Sequence, residues 1–208
     1  MGLRKTSSHE GLREVVDREH PRDLPGLMAQ LRNGDVEQRR WAARDLAAHP
    51  QAAAALGEQL LREAVPGVRE AVFTSLTTLA NDAAAGALLP LLRSEDAALR
   101  NGAIEALAGM PQAVGPRIAG LLHDSDVDVR IFTVNLLGEL HHPQVPGWLL
   151  QVLAHDADVN VVAAAVEVLA EAGSPEHADA LRAARARFAS DDFIGFAVDM
   201  AIERVQTA

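Results

Sequence analysis

The sequence of 208 residues contains no cysteine and no tyrosine, and only 3 % of its residues are aromatic. Without cysteine the chain cannot form disulfides, thiolate nucleophiles or cysteine-ligated metal sites. Its N-terminus lacks the apolar core of a secretory signal, and no apolar run approaches the roughly 20 residues that cross a bilayer. These absences predict a soluble cytoplasmic protein without a membrane partner. Lys5 is the only lysine beside many arginines, which indicates a bacterial source.

Basic charge is also scarce, since the formal net charge at pH 7 is −10. Proteins that bind DNA or RNA obtain much of their affinity by placing Lys and Arg against phosphates. We therefore expect no nucleic-acid partner.

Hydrophobic residues are plentiful, at 49 % of the chain, and most of them are Ala, Leu and Val. Ala and Leu are among the best helix formers. The alternating runs of β-branched and aromatic residues that indicate strands are missing. The composition therefore predicts an all-α fold with a sizeable core.

One segment recurs with a period of about 31 residues, and each copy follows another apolar run of about three helical turns. The residue that aligns the copies is called here the frame residue: Arg39, Arg69, Arg100, Arg130, Val162 and Ile194. Seven positions later comes an apolar column: Leu46, Leu76, Leu107, Leu137, Leu169 and Ala201. Two helices per repeat, neither able to bury its apolar stripe alone, predict a stack of helix pairs.

This pattern resembles HEAT repeats, in particular the short HEAT-like repeats of phycobilisome lyase subunits, over about residues 23–206. The resemblance implies an α-α superhelix of about six antiparallel helix pairs in a repeat domain of residues 23–208. Residues 1–22 precede the frame as a tail with a possible capping helix, since Ser7 or Ser8 before Glu10 is typical of a capping box.

Three columns have structural interpretations. An aspartate four residues before the frame residue predicts N-caps of the second helices: Asp35, Asp96, Asp126 and Asp158. The frame arginines Arg39, Arg100 and Arg130 repeat beside these aspartates, so we expect successive Asp and Arg side chains to pair between repeats. A cationic column seven residues before the frame is expected at the C-termini of the first helices: Arg32, Arg62, Arg93, His123, His155 and Arg187.

The positions one, five and nine residues after the frame residue share one helix face. The mostly polar residues at these positions form a stripe along each second helix. In HEAT-like solenoids the second helix lines the concave surface, so the resemblance implies that this stripe faces a groove. The predicted partner-binding residues are Arg40, Arg44, Thr74, Glu105, Asn135, Glu139, Glu167, Glu171, Asp199 and Glu203. The stripe runs from basic to acidic, which favours a basic segment of another protein. The alternative is an ordinary solvated helix face.

No pattern of catalytic residues emerges. The Asp124, Asp126 and Asp128 series fails as an EF-hand loop, because Val129 and Asn135 occupy the positions that need Gly and Glu. The sequence therefore predicts no catalytic residue, no metal site and no cofactor. We expect a non-enzymatic adaptor or regulatory scaffold. The alternative is a subunit of a bilin (tetrapyrrole) lyase-like chromophore-transfer complex.

The sixth copy is unusually apolar around its frame residue, with Phe193, Ile194 and Phe196 close together. An exposed apolar surface of this kind is typical of an association site. We expect these side chains to pack within their own repeat, which leaves a monomer. Dimerisation through the C-terminal repeat is the alternative.

Overall fold

The computed structural model describes residues 21–207, and these form an all-α solenoid without strands. The predicted capping helix, with Ser7, Ser8 and Glu10, lies outside the described residues. Six antiparallel pairs follow one another along this part of the chain: α1 Leu24–Asn33 with α2 Val36–Leu46, α3 Ala53–Arg62 with α4 Pro66–Leu79, α5 Asp82–Leu88 with α6 Ala97–Ala108, α7 Pro111–Leu121 with α8 Val127–Glu139, α9 Val145–His155 with α10 Val159–Ala172, and α11 Ala178–Arg187 with α12 Asp192–Thr207. The predicted fold class is confirmed.

The first helix of the third pair is interrupted by Pro90. Proline lacks the backbone N–H that an α-helix needs and clashes with the preceding turn. The α-helix therefore ends at Leu88, and the chain continues as a 3₁₀ segment over Leu89–Arg93. This segment still packs on α6, so the pair keeps its place in the stack.

Four second helices, α2, α6, α8 and α10, begin at the aspartate N-caps predicted from the sequence, whereas α4 begins after Val65 without a side-chain cap. Asp35 accepts a hydrogen bond from the N–H of Gln38 at 2.8 Å, and the Gln38 side chain accepts one from the N–H of Asp35 at 2.9 Å. Asp158 accepts from the N–H of Asn160 at 2.8 Å. Asp96 and Asp126 cap their helices in the same way. Each cap satisfies donors that a helix start leaves unpaired.

The histidines of the cationic column cap helix C-termini. The Nδ1 atom of His123 lies 2.7 Å from the carbonyl oxygen of Ala119, and that of His155 lies 3.1 Å from the carbonyl oxygen of Gln151. Both carbonyls belong to the last turn of a first helix, where acceptors are left without backbone partners. The predicted structural role of these two histidines is confirmed.

The second helices form one layer of the solenoid. Each packs on the next from α2 to α12, whereas the first helices pack less closely at most junctions, and α7 and α9 least of all. This closer packing is in line with the concave position that the resemblance to HEAT repeats implies for the second helices, which stays a prediction. The leucine column lies between the layers, and Leu46, Leu76 and Leu107 are completely buried.

The frame arginines connect successive repeats. Arg39 donates two hydrogen bonds to the carboxylate of Glu63, at 2.8 and 3.0 Å, and Arg130 does the same to Asp156, at 2.8 and 3.2 Å. Arg69 bonds the N-cap Asp96 at 2.8 Å. Each carboxylate lies in the repeat that follows its arginine. The expected pairing with an N-cap aspartate is thus present for Arg69, whereas Arg39 and Arg130 bind carboxylates two residues before the N-cap. It is wrong for Arg100, which makes no ion pair in the described chain and lies over the ring of Phe132.

The pair of Arg39 and Glu63 is the most buried of these connections, since the Glu63 side chain is only 3 % exposed. Burial alone would raise the pKa of Glu63. The hydrogen bonds from Arg39, from the N–H of Val65 and from the Gln59 side chain favour the carboxylate more strongly, and they lower its pKa to about 2. Glu63 is therefore ionised throughout the neutral range.

The sixth repeat differs from its predicted register by one residue. In the other pairs the frame residue donates its N–H to the carbonyl of the N-cap residue, as Arg39 does to Asp35. In α12 the residue that makes this bond is Gly195, to Asp191, at 3.1 Å. The predicted frame residue Ile194 instead donates to the side chain of Asp191, at 3.0 Å. The assignment of Ile194 and Ala201 to the frame and leucine columns is therefore wrong.

The cause is the loop before α12, which has four residues where the loop between α9 and α10 has three. The extra residue moves the N-cap to Asp191 and rotates every later side chain to the neighbouring position. Four apolar side chains consequently become buried in α12, which packs on α10 and α11: Ile194, Val198, Ala201 and Val205.

Candidate protein-binding groove

The exposed surface of the second helices is called here the helix-B face. Eight of the ten predicted groove residues lie on it, at corresponding positions of α2, α4, α6, α8 and α10: Arg40, Arg44, Thr74, Glu105, Asn135, Glu139, Glu167 and Glu171. Arg40 is half-buried and the other seven are exposed. The structure thus brings these side chains into one row across five neighbouring helices.

The N-terminal end of the helix-B face is basic but partly neutralised. Arg40 makes an ion pair with Glu37 of the same helix, at 3.3 Å. Arg44 and Glu70 share a shallow pocket of about 260 Å³ between α2 and α4. Thr74 donates its hydroxyl hydrogen to the carbonyl of Glu70, at 2.9 Å. This end therefore offers mixed charge and little free positive charge.

A larger cleft of about 740 Å³ separates α4 from α6. Its lining includes the ring of Phe73 and the polar side chains of Thr77 and Asn101. Gly102 of α6 faces the ring, and a Cβ atom there would lie 2.5 Å from Phe73 Cε2. The glycine is thus required for the close approach of the two helices. The repeat columns did not predict this cleft. The sequence feature that could have indicated it was Gly102 inside a helical pattern, one repeat after the aromatic residue Phe73.

The middle of the helix-B face is acidic. Glu105, Glu139, Glu167 and Glu171 project from α6, α8 and α10, and all four are exposed. Within residues 21–207 their carboxylates have no ion pair or side-chain hydrogen bond. They differ in this respect from the buried carboxylates of Glu63 and Asp156, which bind frame arginines. The row is available to cations from outside the described chain.

The last two predicted groove residues lie elsewhere because of the register of α12. Asp199 makes an ion pair with Arg185 of α11 at 2.5 Å, on the C-terminal flank of the solenoid. Glu203 is exposed one position away from the stripe column. The positions that continue the stripe on α12 are held by Phe196 and Met200, with Arg204 following. The helix-B face therefore ends in an apolar surface, and its predicted acidic end at Asp199 is wrong.

The exposed fractions of Phe193 and Phe196 are 68 % and 67 %, and that of Met200 is 41 %. The expectation that the apolar residues of the sixth copy pack within their own repeat is therefore wrong for the two phenylalanines. It is correct for Ile194, which is completely buried. Asp191, at the N-cap position, was the sequence signal for the true register.

Other candidate chemistry has a structural explanation in this part of the chain. His142 stacks on Trp148 with 4.9 Å between ring centroids, in the loop between repeats. Among residues 21–207 no group of three or more His, Cys, Asp or Glu side chains could hold a metal ion. In the same range no helix is long and apolar enough to span a membrane.

Several solved structures resemble this chain. A designed armadillo repeat protein in complex with the peptide (KR)4 is 19 % identical, with a TM-score of 0.42 over 88 % of this chain and 100 % of that one. The complex of CpcE and CpcF of phycocyanin lyase from Nostoc sp. PCC7120 is 21 % identical, with a TM-score of 0.31 over 94 % and 100 %. No curated protein sequence matches significantly.

A family model for HEAT repeats matches residues 24–109 and 115–194. These ranges contain the first five helix pairs almost completely and reach Ile194 in α12. They cover well over half of the chain. The protein belongs to the HEAT-repeat family.

Proposed function

We propose that this protein is a non-enzymatic, cytoplasmic adaptor or regulatory scaffold that binds a basic segment of another protein along its helix-B face. The observation that carries this proposal is a row of exposed carboxylates that have no partner within residues 21–207, across three adjacent second helices: Glu105, Glu139, Glu167 and Glu171. Axes of packed helices lie about 8–10 Å apart, so α6, α8 and α10 span roughly 20 Å. A row of this length is suited to several cations along one segment.

The proposal is also supported by a difference between two groups of acidic residues, those in the connecting loops and those on the helix-B face. Carboxylates of the connecting loops, such as Glu63 and Asp156, are saturated by arginines of the preceding repeat. Carboxylates of the helix-B face have no such arginine in the described chain. Exposed like charges in a row are mutually unfavourable, and a bound basic segment removes that repulsion. Complementary charge of this kind mainly gives fast association and selectivity.

The test is a charge reversal with a matched control. The partner is first captured on the immobilised full chain from a lysate of the source cell and identified. Its affinity is then measured for Glu167→Lys/Glu171→Lys and for Glu58→Lys/Glu176→Lys, which changes the net charge equally. Glu58 is exposed on α3, and Glu176 is exposed in the turn before α11, away from the helix-B face.

We expect the first variant to bind about tenfold or more weakly, which corresponds to at least about 1.4 kcal/mol. The control variant is expected to bind like the wild type. Helical content and melting temperature should be unchanged in both, because all four glutamates are exposed. Equal loss in the two variants would mean that net charge and not the helix-B face determines binding, and the proposal would be wrong.

The chromophore-lyase alternative predicts a different ligand. A bilin is an acidic tetrapyrrole, and the exposed carboxylates from α6 to α10 oppose its propionates. Titration of the full chain with a bilin, followed by visible absorbance, separates the two functions. We expect no saturable spectral change. Tight stoichiometric binding would replace the adaptor proposal with the lyase-like one.

A further inference from the structure

The three exposed apolar side chains of α12 form what is called here the terminal apolar patch: Phe193, Phe196 and Met200. Spacings of three and four residues place them on the same side of the helix. They are among the few large apolar side chains that are exposed in the described chain. Two exposed phenylalanines in an aromatic-poor protein require an explanation beyond the packing of the solenoid.

The patch continues the helix-B face. Gly195 occupies the frame position of the sixth repeat, so Phe196 and Met200 stand one and five residues after it. The same two positions on α2 are those of Arg40 and Arg44. Since α12 packs directly on α10, the patch borders the end of the acidic row at Glu167 and Glu171.

We propose that the terminal apolar patch is the anchor site for an apolar side chain of the same basic partner segment. The inference rests on the proposed function and adds the chemistry of the partner. The partner segment carries Arg or Lys residues for the carboxylates of α10. It also carries an aliphatic or aromatic residue for Phe196 and Met200. An apolar anchor that becomes buried at a protein interface typically provides much of the binding energy.

A second copy of this chain fits the patch less well. An isologous contact in which the two helix-B faces overlap would place each chain's Glu167 and Glu171 beside the same residues of the other, and juxtaposed like charges are unfavourable. The patch is also small. An aromatic side chain buries about 150–250 Å², so three partly exposed side chains supply a few hundred Å². A stable protein interface needs about 800 Å² per partner.

The geometry sets an approximate spacing for the partner's residues. Neighbouring helix axes lie about 8–10 Å apart, and an extended chain advances about 3.3 Å per residue. A basic residue over α10 and an apolar residue over α12 are therefore about two to four residues apart in an extended segment. Peptides that repeat Arg-Ser-Leu-Gly satisfy this spacing. Peptides that repeat Arg-Ser-Ser-Gly keep the charge and lack the anchor.

The experiment measures binding of these two fluorescently labelled peptides to the full chain by anisotropy. We expect the leucine peptide to bind about tenfold more tightly than the serine peptide. In Phe196→Ser/Met200→Ser this difference should disappear, while affinity for the serine peptide stays the same. Leu61→Ser is the matched control, because Leu61 is 70 % exposed on α3, outside the helix-B face. It should preserve the difference.

The outcomes separate this inference from the proposed function. If both peptides bind equally, and Glu167→Lys/Glu171→Lys weakens both, the anchor is wrong and the acidic face remains. If neither peptide binds, both proposals are wrong. A concentration-dependent dimer of the wild type that is lost in the Phe196→Ser/Met200→Ser variant would assign the patch to a second copy, and the anchor would again be wrong.

Discussion

The first and last joints of the solenoid use the same helix pairs but different interactions. Between repeats 1 and 2, Arg39 binds the buried carboxylate of Glu63, and Ser75 donates a hydrogen bond to the carbonyl of Ala43 at 2.8 Å. Between repeats 5 and 6 the frame position of the fifth repeat is Val162, which is completely buried. That joint has no frame arginine; its polar contacts are hydrogen bonds from Arg187 of α11 to the backbone carbonyls of Leu153 and Asp156.

The outer surfaces of the two joints differ as well. At the first joint the helix-B face carries Arg40, Arg44 and Glu70, whereas at the last joint it carries Phe196 and Met200. The first joint thus combines a buried ion pair with a polar surface, and the last joint combines hydrogen bonds to backbone carbonyls with an apolar surface. The comparison shows that all repeats share one backbone arrangement, while the side chains at equivalent positions can change from a stabilising role to a binding role.

The largest expected effect concerns the core that both joints share. Leu107→Ala removes a completely buried side chain and should lower the free energy of unfolding by about 2–5 kcal/mol, since a cavity remains. Met200→Ala, at the last joint, should lower it by about 0.5 kcal/mol or less because that side chain is partly exposed. Urea unfolding followed by circular dichroism measures both. If Met200→Ala lowered the free energy of unfolding as much as Leu107→Ala does, the exposed patch residues would stabilise α12 as strongly as the buried core does. The contrast between the two joints would then be wrong.

The polar connection at the first joint is tested by Glu63→Gln. Removing one charge of a buried pair leaves Arg39 without its partner, and we expect a loss of about 3 kcal/mol at neutral pH. The control is Glu167→Gln in α10, next to the last joint, because the carboxylate of Glu167 is exposed. It should leave the unfolding free energy unchanged. A neutral effect of Glu63→Gln would mean that the ion pair between Arg39 and Glu63 does not stabilise the first joint.

The same pair predicts a pH dependence. The pKa of Glu63 is lowered from 4.5 to about 2 on folding, so its stabilisation is fully present above pH 4.5 and is lost as pH falls toward 2. A shift of this size corresponds to about 3 kcal/mol. The Glu63→Gln variant should lose less stability than the wild type between these pH values, as measured by urea unfolding at each pH. Parallel pH profiles would contradict the assignment.

The smallest effects come from two glycines inside second helices. Gly102→Ala places a Cβ against Phe73 at an interior joint and should destabilise the protein by about 1–2 kcal/mol. Gly195→Ala lies at the frame position of the last repeat, where a Cβ meets only ordinary contact with Arg185. It should stabilise by about 0.5–1 kcal/mol, because alanine is the better helix former. Thermal melting measures both variants. If the two substitutions shifted the melting temperature in the same direction, the expected difference between the crowded Gly102 and the uncrowded Gly195 would be absent.

The sequence predicted most of the fold because each column has one physical role in five successive repeats. The aspartate caps, the cationic helix ends and the leucine core could be predicted from period alone. The register of α12 could not, because a one-residue change in loop length leaves the apolar pattern similar and rotates every side chain. Asp199 was therefore predicted in the groove and lies on the flank with Arg185.

The candidate site was predicted less completely than the fold. Period alone placed Glu105, Glu139, Glu167 and Glu171 on one face, since spacing along a helix determines direction. It could not predict which carboxylates would be neutralised, because the partners of Glu63 and Asp156 come from another repeat. The cleft between Phe73 and Gly102 depends on how closely two helices approach, and no single column contains that distance.

The direction of the arginine connections has a consequence for how such a protein changes length. Arg39, Arg69 and Arg130 each bind a carboxylate of the repeat that follows, so a duplicated second repeat would bring both an arginine, Arg69, and an acceptor, Glu63. The third repeat differs, because Arg100 makes no ion pair in the described chain and lies over the ring of Phe132. At the frame positions of the fifth and sixth repeats, Val162 and Gly195 stand in place of arginine. The outer face of α12 can therefore change without breaking a frame-arginine connection.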